Sequence, residues 1–354
     1  MSDNHRKFPR FDTEIKVVVI DEDNHQHTGS VTNVSAGGAV VQFDLGVEID
    51  PESEVVVTMG SKEGLASLAT AITEPGDVVL APNPSYPIHT FGFIIAGATI
   101  RSVPTTPDET YFRSLDRAMA FTVPRPSILV VNYPSNPTAE TVDLAFYERL
   151  VAWAKENKVW ILSDLAYSEL YYDGNPTPSI LQVPGAKDVA IEFTSLSKTY
   201  SMAGWRMGFA VGNKTLIAAM TRVKSYLDYG AFTPIQAAAC AALNGPQDVV
   251  EENRLRYQSR RDVMVESFTR AGWPIPNPPA SMFTWAELPP GFEDMGSLEF
   301  SKQLLEHAGV AVAAGVGFGE EGEGFVRIAM VENEQRIRQA ARNVKRFLAE
   351  HARG

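Results

Sequence analysis

A lysine between two hydroxyl residues and an arginine forms the most informative motif of the sequence. The stretch TSLSKTYSMAGWRMGF, residues 194–209, places Lys198 after Ser195 and Ser197 and ahead of Arg206. Hydroxyls and a guanidinium around one lysine can bind a phosphate dianion, and partial desolvation lowers the pKa of such a lysine toward the range that Schiff-base chemistry needs. A surface lysine near a turn fits the same pattern, so the motif alone leaves both interpretations open.

An aspartate ends a second strand-like segment. Asp164 closes the run VWILSD, and in a wound sheet ligands bind beyond the carboxyl ends of the strands. A carboxylate beside a pyridine nitrogen keeps that nitrogen protonated, and a protonated ring stabilises a substrate carbanion. Tyr167 follows three residues later and can donate a hydrogen bond to a phenolic oxygen of the same ring. An aspartate in an ordinary strand-end turn is the simpler alternative.

Three further segments carry groups suited to the same ligand. Asn136 precedes a proline, whose ring favours an extended conformation that would aim the amide at a ring oxygen. The stretch MGSKEGLASLA, residues 59–69, runs through glycine into a helix and places the Ser61 and Lys62 amides at a positive helix end suited to phosphate. Tyr86 in PNPSYP can stack on a flat heteroaromatic ligand. Each segment is also ordinary turn or loop sequence.

Arg327 lies inside the apolar run GFVRIAM. A buried arginine needs an anionic partner, and a substrate α-carboxylate held by two parallel hydrogen bonds meets that need. An internal aspartate or glutamate would meet it equally well. The histidines, at positions 5, 25, 27, 89, 307 and 351, show no metal-ligand spacing beyond a pair in a polar turn, so we assign them no metal and no chemistry.

Hydrophobic patterning predicts the elements that position these residues. From residue 54 onward, strand-like runs (EVVVTMG, DVVLAP, ILVVNYP, VWILSDLAY, DVAIEFTSLSK and MGFAVG) alternate with helix-periodic segments (LASLATAI, residues 144–155, KTLIAAMTRVKSYL and IQAAACAALN). Near-continuous runs such as ILVV suit strands that are buried on both faces. This alternation is typical of an α/β fold with a mainly parallel wound sheet.

A second, smaller α+β unit is predicted after the Gly245-Pro246 pair. A long polar helix over residues 247–269 leads into ASMFTWAEL, SLEFSKQLLEHAG, GFVRIAM and a closing amphipathic helix after Glu332. Near the N-terminus, IKVVVI and GAVVQF are strand-like and DEDNHQHTG between them is a turn-rich connection, which predicts a short antiparallel β segment. The predicted organisation is a β segment 1–45, a large domain 46–245 and a small domain 246–354.

Composition argues against several functional classes. The net charge of -12 would repel nucleic acid phosphates and anionic lipid, so neither is an expected partner. The longest apolar stretches fall short of the ~18 residues of a membrane span, and no export signal is evident, so a cytoplasmic location is expected. The single cysteine, Cys240, leaves no intramolecular disulfide, which suits a reducing compartment.

The order and spacing of these motifs resemble those of class I aminotransferases, which are fold-type I enzymes dependent on pyridoxal 5'-phosphate (PLP), over roughly residues 46–354. The resemblance implies that PLP is bound covalently to Lys198 and that the enzyme is a homodimer with shared sites. It places Ser195, Ser197, Arg206 and the backbone of Ser61 and Lys62 at the cofactor phosphate. It places Asp164 at the pyridine nitrogen, Asn136 and Tyr167 at the ring hydroxyl, and Tyr86 against the ring. It also places Arg327 and Asn136 at the substrate carboxylate.

Within that family, the stretches GSKEGLA, PNPSYPIHTFG and KSYLDYGAFTPIQ are most similar to bacterial alanine-forming glutamate-pyruvate transaminases, whose relatives include LL-diaminopimelate aminotransferases. The resemblance therefore implies reversible amino transfer between an L-amino acid, with alanine as the expected donor, and 2-oxoglutarate. β-Elimination or decarboxylation with the same cofactor is an alternative chemistry.

The N-terminal segment departs from the family pattern, because members begin with more chain, including an arm to the neighbouring subunit and part of the small domain. Here RKFPRFDTEIKVVVI and NVSAGG resemble the first half of a PilZ domain, a cyclic di-GMP receptor. That resemblance implies nucleotide contacts from Arg6, Arg10, Asn33, Ser35 and Gly38, although a basic tail and a hairpin would look the same. The alternative function is an impaired aminotransferase body fused to a cyclic di-GMP-binding segment. In that case the half barrel and the incomplete small domain are expected to leave apolar surface uncovered.

Overall fold

The computed structural model describes residues 55–228 and 230–351 in full and, before them, the backbone of three strands. These strands are β1 (Ile15–Ile20), β2 (Gln26–Ser35) and β3 (Gly38–Gln42), which form an antiparallel sheet in the order β1-β2-β3. The predicted antiparallel arrangement is therefore present. The connection predicted over DEDNHQHTG is shorter than expected, because its last residues already belong to β2.

The residues assigned to cyclic di-GMP fall in this N-terminal region. Arg6 and Arg10 lie outside the described residues, and so do the side chains of Asn33 and Ser35. Ser35 pairs with Gly38 in the backbone register of β2 and β3. The nucleotide contacts, and the boundary at residue 45, stay predictions.

A seven-stranded sheet forms the larger part of the fold. Its strands are β4 (Val55–Thr58), β5 (Val78–Pro82), β6 (Thr99–Val103), β7 (Ile128–Val131), β8 (Trp160–Asp164), β9 (Ala190–Ser195) and β10 (Gly208–Gly212). They follow the order β4-β10-β9-β8-β7-β5-β6, in which β10 runs antiparallel to both neighbours and the other pairs are parallel. The mainly parallel wound sheet is confirmed.

Buried side chains on both faces explain why β7 has a continuous apolar sequence. Ile128 and Val130 belong to one hydrophobic cluster, whereas Leu129 and Val131 belong to another on the opposite face. Successive side chains of a strand point to opposite faces, so a strand covered on both sides needs apolar residues throughout. This burial fixes the register of the sheet and thereby the positions of the strand ends.

Helices cover the two faces of this sheet and connect its strands. They are α1 (Ser61–Ile72), α2 (Ile88–Ile95), α3 (Glu109–Phe121), α4 (Leu144–Asn157), α5 (Leu196–Thr199), α6 (Lys214–Leu227) and α7 (Thr233–Asn244). The α4 helix begins at a sequence signal, since the Asp143 carboxylate accepts a hydrogen bond from the Phe146 amide. The sequence pattern predicts no element at α2, β6 or α3, and the structure has all three.

A smaller α+β unit follows. It contains α8 (Asp248–Arg270), β11 (Phe283–Glu287), α9 (Ser297–Ala308), β12 (Ala313–Ala314), β13 (Phe325–Ala329) and α10 (Glu334–His351), with an antiparallel sheet in the order β11-β13-β12. On α10, Ile337, Ala341, Val344 and Phe347 are buried at helical spacing and complete the core of this unit. No helix in the described part of the chain is both long and apolar enough to cross a lipid bilayer.

Candidate active site

A cavity of about 380 Å³ opens at the carboxyl ends of β8 and β9. Asp164 is the last residue of β8 and Ser195 the last of β9, so the sheet itself positions both side chains. All residues predicted from the sequence to bind the cofactor or the substrate line this cavity. They are Ser61, Lys62, Tyr86, Asn136, Asp164, Tyr167, Ser195, Ser197, Lys198, Arg206 and Arg327. The location agrees with the rule that wound sheets bind ligands beyond the carboxyl ends of their strands.

Lys198 lies in α5, the single helical turn that follows β9. The Ser195 hydroxyl caps this turn by accepting a hydrogen bond from the Ser197 amide at 3.1 Å. The Lys198 ammonium is partly buried, and burial, followed by the nearby charges of Arg206 and Arg327, lowers the pKa of Lys198 below its ordinary value. A lowered pKa leaves more of the amine unprotonated, which is the nucleophilic form.

Arg206 joins this turn to the start of α1. Its Nη2 donates to the Met59 carbonyl at 2.9 Å and its Nη1 donates to the Ser197 hydroxyl at 3.5 Å. Gly60, the N-cap of α1, has φ 85°, and a Cβ there would lie 2.5 Å from Nη2 of Arg206. Glycine therefore permits both the turn and the close approach of the guanidinium.

The groups at this end of the cavity are hydrogen-bond donors and a cation. The Ser195 and Ser197 hydroxyls lie 2.9 Å apart, beside Arg206 and the N-terminus of the twelve-residue helix α1. A helix N-terminus presents free amides and a positive partial charge, and arginine suits a phosphate by geometry. This donor set fits a phosphate dianion.

Asp164 is buried at the other end of the site. Its Oδ2 lies 2.9 Å from Nε2 of His89, and its backbone carbonyl accepts from Nδ2 of Asn132 at 2.7 Å. Its Oδ1 is buried without a hydrogen-bond partner among the described residues. An unsatisfied buried carboxylate oxygen costs free energy, so its presence at the cavity wall points to a ligand that donates a hydrogen bond, such as a protonated ring nitrogen.

His89 and Asn132 contribute to this site although no role was predicted for either. His89 is fully buried on α2, with its ring edge-on to Tyr86 at 5.8 Å between centroids. Its position just after Tyr86 is the signal that could have found it, because the His89 amide donates to the Tyr86 carbonyl at 2.9 Å across the turn that opens α2 and keeps the two rings close. In the described part of the chain, no group of three or more histidine, cysteine or acidic side chains could hold a metal ion.

The small antiparallel sheet supplies the opposite wall. Arg327 of β13 donates from Nη1 to Oδ1 of Asn136 at 2.7 Å, and its guanidinium lies between the rings of Phe283 (4.8 Å) and Phe318 (4.6 Å). No described acidic side chain forms an ion pair with it, so the internal-partner alternative finds no support there. The guanidinium keeps donors for an anion that enters the cavity.

Tyr167 completes the polar wall beside Asn136. Its hydroxyl accepts a hydrogen bond from Nδ2 of Asn136 at 3.5 Å. Burial, reinforced by the charge of Asp164, raises the pKa of Tyr167 above its ordinary value, so the phenol stays protonated. It therefore keeps a proton to donate to an oxygen of a bound ligand.

Comparison with known proteins decides the family. The model for aminotransferase class I and II matches residues 18–344, nearly the whole chain. The chain belongs to this family. The match begins inside the segment 1–45, so part of that segment shares the family pattern. Aminotransferases of this family depend on PLP, and the donors, the carboxylate and the lysine described above fit its phosphate, its ring nitrogen and its aldehyde.

Individual relatives carry two different substrate names. Glutamate-pyruvate aminotransferase AlaC of Escherichia coli (strain K12) is 54% identical over 299 residues, which cover 84% of this chain and 73% of AlaC. LL-diaminopimelate aminotransferase of Moorella thermoacetica is 41% identical over 329 residues, 92% of this chain and 84% of that enzyme. The substrate-bound structure of BacF from Bacillus subtilis superposes with a TM-score of 0.80 at 36% identity, covering 85% of this chain and 76% of BacF.

Proposed function

We propose that this aminotransferase transfers the amino group reversibly between L-alanine and 2-oxoglutarate, with PLP attached to Lys198. The observation that carries the proposal is that the amine of Lys198, the unpartnered carboxylate oxygen of Asp164 and the guanidinium of Arg327 all face one cavity. These three groups correspond to the aldehyde of the cofactor, its ring nitrogen and the carboxylate of an amino acid.

In this proposal the cofactor is held at both ends. Ser195, Ser197 and Arg206, with the amides that open α1, bind the phosphate, and Asp164 binds the ring nitrogen. Tyr86 packs against the ring, while Asn136 and Tyr167 donate to its hydroxyl oxygen. Bound PLP supplies an electron sink for the pair released when the substrate α-proton leaves.

The chain's own groups then orient the substrate and move its proton. Arg327 binds the α-carboxylate through the parallel donors of its guanidinium, and Asn136 keeps that guanidinium in place. Lys198 accepts the α-proton on Nζ and returns it, because its lowered pKa leaves more of the amine unprotonated and able to act as a base. His89 holds the Asp164 carboxylate in its orientation.

The remaining lining suits a small amino acid and a dicarboxylate. Met282, Phe283, Ala329 and Val331 form an apolar surface against which the alanine methyl can pack. Lys62 places a further cationic side chain in the cavity, with Nζ 5.5 Å from the centroid of the Tyr86 ring, where it can pair with the distal carboxylate of 2-oxoglutarate or glutamate. The similarity to AlaC supports the same pair of substrates.

LL-Diaminopimelate is the second candidate donor, favoured by the 41% identity to an enzyme of that name over most of the chain. Separate assays with L-alanine and with LL-diaminopimelate, each with 2-oxoglutarate, distinguish the two. We expect pyruvate and glutamate in equal amounts and the larger kcat/KM with alanine. A larger kcat/KM with LL-diaminopimelate would overturn the substrate assignment, and ammonia or carbon dioxide without glutamate would indicate elimination or decarboxylation. The proposed assembly is a homodimer, which light scattering can measure.

A further inference from the structure

A buried ion cluster lies behind the proposed phosphate site. Lys224 of α6 is only 4% exposed, and its Nζ lies 3.0 Å from both carboxylate oxygens of Glu63 and 2.6 Å from Oδ2 of Asp228. Removing an ammonium group from water is costly, so such a lysine is retained only when charged partners satisfy it. The cluster, defined as Glu63, Lys224 and Asp228, joins the first turn of α1 to the end of α6.

Glu63 connects this cluster to the cavity through one residue. Its Oε2 accepts the Met59 amide at 2.7 Å, and its Oε1 accepts the Ser67 hydroxyl at 2.5 Å. The carbonyl of the same Met59 accepts from Nη2 of Arg206 at 2.9 Å. Met59 is therefore held by the cluster through its N–H and by the phosphate-site arginine through its C=O.

Glu63 is also an anion at the helix end where the cofactor phosphate would bind. A carboxylate in the first turn interacts favourably with the positive end of a helix, and it thereby competes with any phosphate for that end. The charge of Lys224 compensates the charge of Glu63. Without it, the start of α1 would carry an uncompensated negative charge.

We propose that Lys224 is a positioning residue for cofactor binding, which acts through Glu63 to orient the start of α1 and to keep its potential favourable for the phosphate. This inference rests on the proposed function, because it concerns only how the phosphate group of bound PLP is held. It differs from a purely structural role, in which Lys224 would stabilise the fold without any preference for phosphorylated ligands.

Two ligands separate these roles. Absorbance titrations of the full chain, freed of cofactor, give Kd for PLP and for pyridoxal, which lacks the phosphate. For Lys224→Met we expect Kd for PLP to rise on the order of tenfold, because the charge of Glu63 in the first turn of α1 is no longer compensated, while Kd for pyridoxal stays unchanged. Lys224→Arg keeps the charge and should keep most of the affinity for PLP.

Arg261 offers a matched control. Its guanidinium is buried between two carboxylates, with Nη1 2.6 Å from Asp173 and Nη2 2.7 Å from Asp262, and it does not line the cavity. Arg261→Met should lower the melting temperature as Lys224→Met does, but leave the ratio of the two Kd values at the wild-type value. If Lys224→Met does not fold, Glu63→Gln removes the competing negative charge, keeps a side-chain oxygen for the Met59 amide and leaves Lys224 paired with Asp228, so it should lower Kd for PLP and leave Kd for pyridoxal unchanged.

The outcomes that overturn the inference are distinct from failure of the site assignment. An equal change of both Kd values in Lys224→Met, or no change in either, would leave Lys224 with a structural role only. If the wild-type chain itself gives no visible absorbance band with PLP, the assignment of the cofactor site is wrong and the inference fails with it.

Discussion

Nε2 of His89 lies 2.9 Å from Oδ2 of Asp164, and both side chains are buried beneath the cavity. The contact joins α2 to the end of β8 and fixes the rotation of the carboxylate. The other oxygen, Oδ1, has no partner among the residues described and is thereby left to a ligand. In the role proposed for Asp164, His89 thus leaves Oδ1 free to accept a hydrogen bond from a protonated ring nitrogen.

Replacing Asp164 with asparagine tests the importance of that negative charge. Asp164→Asn keeps the size of the side chain and can keep the contact with His89, but it cannot hold the ring nitrogen protonated. We expect kcat to fall on the order of 10² to 10³-fold while PLP is still bound. The checks are the initial rate of pyruvate formation and the PLP content per chain. An unchanged kcat with full PLP content would contradict the role of Asp164.

Removing the amine of Lys198 should abolish covalent attachment of the cofactor. For Lys198→Ala we expect loss of the protein-bound visible absorbance band and of transamination, because no other amine occupies that position. Lys62→Ala is the control, since its side chain lines the same cavity. It should keep the absorbance band and raise KM for 2-oxoglutarate. Persistence of the band in Lys198→Ala, with loss in Lys62→Ala, would reverse the two assignments.

Arg327→Lys separates charge from geometry at the substrate end. Lysine keeps the positive charge but loses the planar pair of donors, and it cannot fill the space between Phe283 and Phe318 in the same way. We expect KM for L-alanine to rise roughly 10- to 100-fold, the value of one hydrogen bond to a charged group. Kd for PLP should stay at the wild-type value. A parallel loss of affinity for alanine and PLP would place Arg327 at the cofactor instead.

The sequence predicts the elements whose patterns are strong and continuous. The ILVV run becomes β7 because both faces are buried, and KTLIAAMTRVKSYL becomes α6 from its first residue to its last. The cavity residues were also found from sequence, since the order of short motifs places Asp164 at the end of β8 and Lys198 in the turn after β9, and both strands end at one edge of the sheet.

Other parts carry too little local signal. The edge strand β6 is mostly exposed and has no alternating apolar pattern, and α2 is short with a glycine at position 92. The contact between His89 and Asp164 joins residues 75 positions apart, and the contact between Glu63 and Lys224 joins residues 161 apart. Pairings over such distances depend on tertiary packing, which no local pattern records.

Glu192 gives a prediction for the dependence of stability on pH. Its carboxyl is buried and accepts hydrogen bonds from Ser163, Ser179 and the Ile180 amide, and burial raises its pKa to about 7. Because the folded-state pKa is raised above the unfolded value near 4.5, the native state binds this proton more tightly. The resulting stability is present at low pH and is lost as pH rises through about 7.

Glu192→Gln should remove that loss. From about pH 5 to about pH 8, the free energy of unfolding of the variant should rise relative to wild type by roughly 1–3 kcal/mol. Urea unfolding at both pH values measures the difference. Identical pH dependence in the two proteins would show that Glu192 does not titrate in this range.

Chemical trapping of the cofactor identifies the lysine that carries it. The full chain is loaded with PLP, reduced with borohydride and digested, and the modified lysine is identified by mass spectrometry. We expect the added mass on Lys198, in the peptide that follows β9, and its loss when L-alanine is added before reduction. Modification of a different lysine, or label on Lys198 that alanine does not diminish, would show that Lys198 does not carry the cofactor during transamination.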